Sequence, residues 1–303
     1  MGSRTTRRSD RGVRFLWPLL TLPGTVWLVM LFLVPLYAVL AVTFGTELDF
    51  FAQPIPEWNP LNWDATVFME ALRESLFGIY RASWVRTLLY CGIALTTIVL
   101  VGYPIAYYVA RLAGRRKYLL LALLMAPWWI NYLTRMLAWT GLLNDEGLVN
   151  DALELVGIGS VSWLSGKWYV VVIALIYGYL PFFIVPLYAY LDQIDQNHLE
   201  VSRDLGANSV RTFVCVTLPQ SRIGLMTALV ITGLPMFGDY YTNQLVSGSP
   251  GNYMIGNQIV TSIDSGFSRA QGSSLVLLLS MMLLVFMVYY LVVTIRQSRE
   301  YAS

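Results

Sequence analysis

Long apolar runs separated by short polar stretches dominate the chain, at about residues 16–44, 84–110, 118–143, 168–191, 223–246 and 273–295. A helix needs about 20 such residues to cross a hydrocarbon layer of ~30 Å. Within lipid, a helix also pairs every backbone N–H and C=O inside its own segment. The pattern therefore predicts an all-α integral membrane protein with six transmembrane helices. They form a single domain over residues 16–303, behind a basic tail at 1–15. The first run is too long for a signal-peptide core and lacks a small-residue cleavage pattern, so it is expected to stay as a span.

Composition agrees: 56% of the 303 residues are hydrophobic and 13% charged, half the charge share of soluble domains, about 25%. The loose acylation pattern of the opening Met-Gly-Ser-Arg-Thr-Thr is read as chance, since one acyl chain adds little to six spans. Cys91 and Cys215, the only two cysteines, form no disulfide framework or metal spacing and are expected to be inert.

Six spans put both termini on one face, together with residues 111–117 and 192–222. Those segments carry fourteen of the chain's twenty Lys and Arg, so by the positive-inside rule they are cytoplasmic. The opposite face holds eleven of the eighteen Asp and Glu. Its longest segment, the extracytoplasmic loop 45–83, contains FAQPIPEWNPLNWD and exceeds the length of a mere connector. Two readings stand for it: a surface-lying loop anchored by tryptophans, or a docking surface for an external partner.

The polar stretch NHLEVSRDLGANSVRTFVCVTLPQSR at 197–222 contrasts with its surroundings. Asn197 and Glu200 have capping-box spacing. Leu199, Val201 and Leu205 give an apolar side, and Glu200 and Arg203 can pair at i,i+3. Gly206 permits a turn, Asn208 or Ser209 can cap a second helix through Val210, Phe213, Val214 and Leu218, and Pro219 stops or kinks it. A short amphipathic helix, a glycine turn and a second helix suit docking in another protein's groove; the alternative is a helix that lies on lipid.

Among ionisable residues within spans two stand out, Arg135 and Asp239, and such residues are costly enough to mark function. Gly233, Pro235 and Gly238 precede Asp239 and predict a broken helix facing protein or a cavity. A carboxylate beside Tyr240 and Tyr241 suits a cationic ligand, through charge-assisted bonds and aromatic faces. Trp128, Trp129, Asn131 and Tyr132 can complete the site. The plainer alternative makes Asp239 and Arg135 a structural pair, or residues that approach the outer surface, and the aromatics an interfacial belt. His198 is the only histidine, and the sequence holds no nucleophile or paired-acid constellation, which argues against an enzyme. The absence of internal repeats and of several mid-span acids argues against an ion-coupled secondary transporter.

Residues 200–219 resemble the coupling loop of ABC importer permeases, whose pattern is Glu-Ala-Ala, three residues, Gly, nine residues, Ile, one residue, Leu-Pro. Here Glu200, Val201, Ser202, then Arg203, Asp204 and Leu205, Gly206 followed by Ala207, and finally Leu218 and Pro219 keep that spacing, with Val-Ser for Ala-Ala and Val216 for Ile. The stretches PWWINYLTRMLAWTGLLNDEGLVND and FGDYYTNQLVSGSPGNYMIGNQI are similar to PotB/PotH-type permeases, first membrane subunits of spermidine and putrescine importers. The shared positions are Pro127, Trp129, Arg135, Ala138, Trp139, Gly147, Asn150, Gly238, Asp239, Tyr240, Thr242, Met254, Gly256 and Asn257.

The resemblance implies a type I ABC importer permease fold in a bacterial inner membrane, with the coupling loop at 192–222. It further implies a second, PotC/PotI-like permease, two PotA-like ATPase subunits and a PotD-like extracytoplasmic polyamine-binding protein as partners. No cofactor is expected on this chain. ATP and Mg belong to the ATPase, as no Gly-x-x-x-x-Gly-Lys-Ser/Thr loop occurs here. Iron or a small organic acid or amine is the alternative cargo within the class.

Overall fold

The computed structural model describes residues 9–47, 54–264 and 269–300, with side chains for 20–46, 55–264 and 269–296. Arg4, Arg7 and Arg8 of the expected basic tail and residues 48–53 of the expected outer loop lie outside the described residues, as do the side chains of Arg11, Arg14 and Arg299. The chain divides into two compact units, residues 1–71 with 262–277 and residues 72–261 with 278–303.

The helices are α1 (Ser9–Thr43), α2 (Thr66–Phe77), α3 (Arg81–Arg111), α4 (Lys117–Met125), α5 (Tyr132–Leu142), α6 (Leu148–Leu155), α7 (Trp168–Gln193), α8 (Gln196–Asp204), α9 (Ser209–Thr212), α10 (Leu218–Gln220), α11 (Arg222–Phe237), α12 (Tyr241–Val246), α13 (Ile255–Asp264) and α14 (Arg269–Glu300). Among the described residues, four stretches are long and apolar enough to cross a bilayer: Leu20–Thr43, α3, α7 and Arg269–Arg296. The pair Ser209–Gln220 and Arg222–Phe237, bent by 64°, makes a fifth if counted as one broken span.

One run expected to be continuous is interrupted, and one expected to break does so. In 118–143, α4 gives way to a 3-10 turn at Ala126–Trp129, and Asn131 restarts the helix by accepting the Leu133 N–H at 2.9 Å. Pro127 has no N–H to continue an α-helical ladder. In 223–246, α11 ends at Phe237 and the chain resumes as α12 at Tyr241, which is the break expected from Pro235 and Gly238.

In the first unit, the C-terminal end of α1 is capped by the chain that follows. Phe44 stacks on Trp63 with centroids 5.1 Å apart, Trp63 Nε1 donates to the Glu57 carbonyl at 2.9 Å, and the Glu57 N–H reaches the Ala41 carbonyl at 2.9 Å. Thr46–Glu47 and Pro54–Ile55 pair antiparallel beside this cluster. Trp63 is thus half-buried structure, whereas Trp58 is exposed.

The second unit is built on α3, α7 and α11. Small residues of α3, Ala94 and Ala106, are wholly buried with Leu175, Phe183, Ile184 and Leu187 of α7 and Ala228 and Met236 of α11. Such residues let membrane helices approach closely, where packing rather than hydrophobic transfer holds them together. Met136 of α5 and Val246 of α12 join Val170 and Ala174 of α7 in a second cluster. The turn before α6 is held by buried Asn150, which donates to the carbonyls of Asn144, Asp145 and Val161 and accepts from Val161 N–H and Trp163 Nε1. At the other end, Lys117 donates to both oxygens of Asp192 at 3.0 and 2.9 Å, and that hydrogen bonding raises the ammonium pKa.

Candidate functional site

The glycine-centred segment forms first, from local rules. Asp195 caps α8 by accepting the Asn197 N–H at 3.0 Å, so Asn197 is the second helical residue and not the cap that its spacing to Glu200 predicted. Both residues can cap; the chain is already helical at Gln196. Gly206 takes φ +82°, a region that L side chains avoid. Its N–H bonds the Arg203 carbonyl at 2.8 Å and the Ala207 N–H bonds Ser202 at 3.1 Å, the two bonds of a Schellman end. Asn208 then caps α9 by accepting the Arg211 N–H at 2.8 Å.

The Ser202 hydroxyl, where the coupling-loop pattern has alanine, bonds Thr212 Oγ1 at 3.1 Å and ties the two short helices together. Glu200 and Arg203 form no ion pair: the one ion pair among the described residues is Lys117 with Asp192. Of the expected apolar side only Leu199 is buried; Val201 and Leu205 face outward, as do Val210 and Val214. Phe213 faces inward, edge-on to Tyr103 and Tyr107 of α3 at 5.5 Å each. Before Pro219 the helix widens to π-type over Phe213–Thr217, closing on Leu218 N–H to the Phe213 carbonyl. Then it bends into α11. The segment therefore grips α3 with one face and presents valine, leucine and charged side chains on the other.

At the far end of α11 lies a cavity of about 540 Å³. Asp239, Tyr240, Tyr241, Tyr132 and Arg135 line it, with Tyr179 and Phe182 of α7 and Ile231 and Pro235 of α11. Trp129 and Asn131 are exposed and do not line it; Asn131 caps α5. Trp128 stands behind Arg135, its ring 4.5 Å from the guanidinium carbon, and packs on Tyr177 at 5.7 Å.

Asp239 is buried and fully engaged. Oδ2 accepts the hydroxyls of Tyr132 and Tyr179, each at 3.1 Å, and that of Thr242; Oδ1 accepts the Thr242 N–H at 3.0 Å. One carboxylate thus joins α5, α7 and α12. A polar group buried this deep needs such partners. Arg135 is also buried, yet its Nε and Nη1 have no acceptor among the described residues. It lies over the rings of Trp128 and Tyr132, whose π faces attract the cation. The two charges face one cavity without the ion pair that the structural-pair reading requires.

Tyr179 and Thr242 complete the carboxylate's shell. Thr242 was legible as part of the Gly-Asp-Tyr-x-Thr pattern, whereas Tyr179 carries no local signal within the apolar run ALIYGYLPFF.

The profile of a family described as binding-protein-dependent transport system inner membrane component matches residues 3–300. The chain is 32% identical to the spermidine/putrescine transport system permease protein PotB of Haemophilus influenzae over 269 residues, covering 87% of this chain and 89% of that protein. It is 33% identical to PotB of Escherichia coli, covering 64% of this chain and 72% of that protein. Among solved structures, a bacterial ABC transporter involved in the import of the acidic polysaccharide alginate superposes with TM-score 0.72 at 16% identity, covering 95% of this chain and 98% of that chain. That likeness concerns the fold. The chain belongs to the family of binding-protein-dependent transport system inner membrane components, as a multi-pass helical protein of the bacterial inner membrane.

Proposed function

We propose that this chain is a permease subunit that carries polyamines, spermidine or putrescine, inward by alternating access. The observation that carries the reading is the path of α11. It starts at the bend after the glycine-centred segment and ends at the broken turn holding Asp239, so one helix of 16 residues, about 24 Å long, connects the two. A displacement of the segment 196–206 by a partner is delivered to the cavity wall.

In this reading the six apolar runs all cross the membrane, with termini and the segment 192–222 cytoplasmic, as the bias of Lys and Arg supports. The exposed Val201, Leu205, Val210 and Val214 rest in a cleft of a separate ATPase that holds ATP and Mg. A second permease completes the pathway, and an extracytoplasmic binding protein delivers cargo. A periplasmic protein of that kind, loaded with alginate pentasaccharide, accompanies one of the structural neighbours.

Polyamine cargo is supported by the names of the PotB relatives and by the chemistry of the cavity. An ammonium group can replace tyrosine hydroxyls on the Asp239 carboxylate, adding the attraction of opposite charges to the hydrogen bond, and the paired rings of Tyr240 and Tyr241, 4.1 Å apart, offer a face to the carbon chain. Arg135 in the same cavity weakens cation binding, which suits a site that must release what it takes. The test is uptake of labelled spermidine and putrescine by cells making the complete complex, against an iron chelate and a small organic acid. Uptake of the amines alone supports the reading; uptake of another cargo alone refutes it.

A further inference from the structure

The outer segment after α12 bears no charge on the cavity, yet it holds the turn that does. Asn257, buried, donates from Nδ2 to the Tyr240 carbonyl at 3.0 Å and accepts the Met254 N–H on Oδ1 at 3.2 Å. Gly256 lies directly against the turn: a Cβ there would stand 2.8 Å from the Gly238 carbonyl oxygen and 3.1 Å from that of Asp239. The start of α13 is in turn fixed on α3, by the Ile255 N–H on Thr87 Oγ1 at 2.8 Å and by Gln258 Nε2 on Ser83 Oγ at 3.1 Å.

The segment's other end is tied as firmly. Asn252 donates to the Gly166 carbonyl and, at 3.1 Å, to Ser247 Oγ; it accepts Tyr90 Oη at 3.3 Å, and its carbonyl takes Asn243 Nδ2 at 2.6 Å. Residues 238–240 lie between two helices, with the Gly238 and Asp239 N–H groups on the Pro235 and Met236 carbonyls at 3.2 Å each and the Gln244 N–H on the Tyr240 carbonyl at 3.0 Å, and the rest of their place is set by what they touch. From outside, that is Asn257 and Gly256.

The geometry points to Asn257 and Gly256 as positioning residues that set where Asp239 stands in the cavity, making the segment 247–258 a brace for the pathway and not a docking surface for the binding protein. This rests on the reading of the Asp239 cavity as the pathway. A displaced turn moves the carboxylate away from Tyr132 and Tyr179 and spoils its alignment with an entering ammonium, whereas the parts that sense the binding protein and the ATPase are untouched.

Asn257→Asp is the discriminating variant, since it keeps the acceptor for Met254 and the side-chain shape but replaces the donor to Tyr240 with an oxygen. In reconstituted complexes, the expected result is assembly and ATPase stimulation by spermidine-loaded binding protein close to the parent's, with spermidine moved per ATP hydrolysed down roughly five-fold or more. Gly256→Ala, which pushes the turn without removing a hydrogen bond, is expected to do the same. An unchanged transport ratio overturns the inference. So does loss of binding-protein association in step with ATPase stimulation, which would make the segment a docking surface. Failure of both variants to assemble would assign the two residues to folding alone and also overturn it.

A second measurement needs no cargo and stands if the polyamine reading fails. Tyr241→Cys, placed in a Cys215→Ser background, is expected to react with a maleimide at a rate changed about three-fold or more by Asn257→Asp; an unchanged rate contradicts the inference.

Discussion

The hydroxyl of Tyr179 in α7 donates to Oδ2 of Asp239 at 3.1 Å, across 60 residues of sequence. With Tyr132 on the same oxygen, the carboxylate becomes the point where α5, α7 and the α11–α12 break meet. Tyr179→Phe removes one donor and leaves the ring. A hydrogen bond to a charged group contributes about 1.5–3 kcal/mol, so the variant complex should lose thermal stability in detergent and show slower uptake, with binding-protein association unchanged. A melt and an uptake assay on the same preparation check this.

Asp239→Asn keeps the volume of the side chain and removes its charge. Uptake of spermidine at limiting concentration should fall by at least about ten-fold, the equivalent of one charge-assisted bond of about 1.4 kcal/mol, while the complex still assembles. Normal uptake at limiting substrate would take the carboxylate out of the pathway.

Gly206→Ala forces a Cβ into a left-handed backbone conformation at φ +82°, at a cost of about 1–2 kcal/mol. The Schellman end opens and the angle between α8 and α9 changes. Transport per ATP should drop by several-fold, or the ATPase should dissociate on purification. Pull-down of the ATPase beside an uptake assay separates the two, and an unchanged complex with unchanged uptake would remove the segment from coupling.

The two cysteines report orientation without any engineering. Cys215 is exposed and Cys91 is buried in the α3–α11 contact. A membrane-impermeant maleimide should label one site per chain in inside-out vesicles and none in right-side-out vesicles. The reverse pattern would invert the proposed topology.

The glycine-centred segment was readable because its determinants are local. Gly206, Asn208 and Pro219 act on their own backbone within a turn. The cap shifted from Asn197 to Asp195 because two competent acceptors stand two residues apart, and sequence spacing does not choose between them. Pro127 and Asn131 were both visible, yet an apolar run alone does not reveal that one ends a helix and the other restarts it inside the same run. Tyr179 was out of reach, because its role exists only once α7 packs beside α5 and the broken end of α11. The arginine at 135 was marked by its charge, but only the fold shows that tryptophan and tyrosine rings, and no carboxylate, lie against it.

In the proposed function, one chain couples a polyamine cavity at Asp239 to a separate ATPase through the segment around Gly206. The most direct test is ATPase activity of the reconstituted complex in lipid, with binding protein empty or loaded with spermidine, putrescine or an iron chelate. The account predicts stimulation by the polyamine-loaded protein and its loss of coupling to transport in Asp239→Asn. Stimulation by another cargo alone, with polyamine-loaded protein inert, would contradict it.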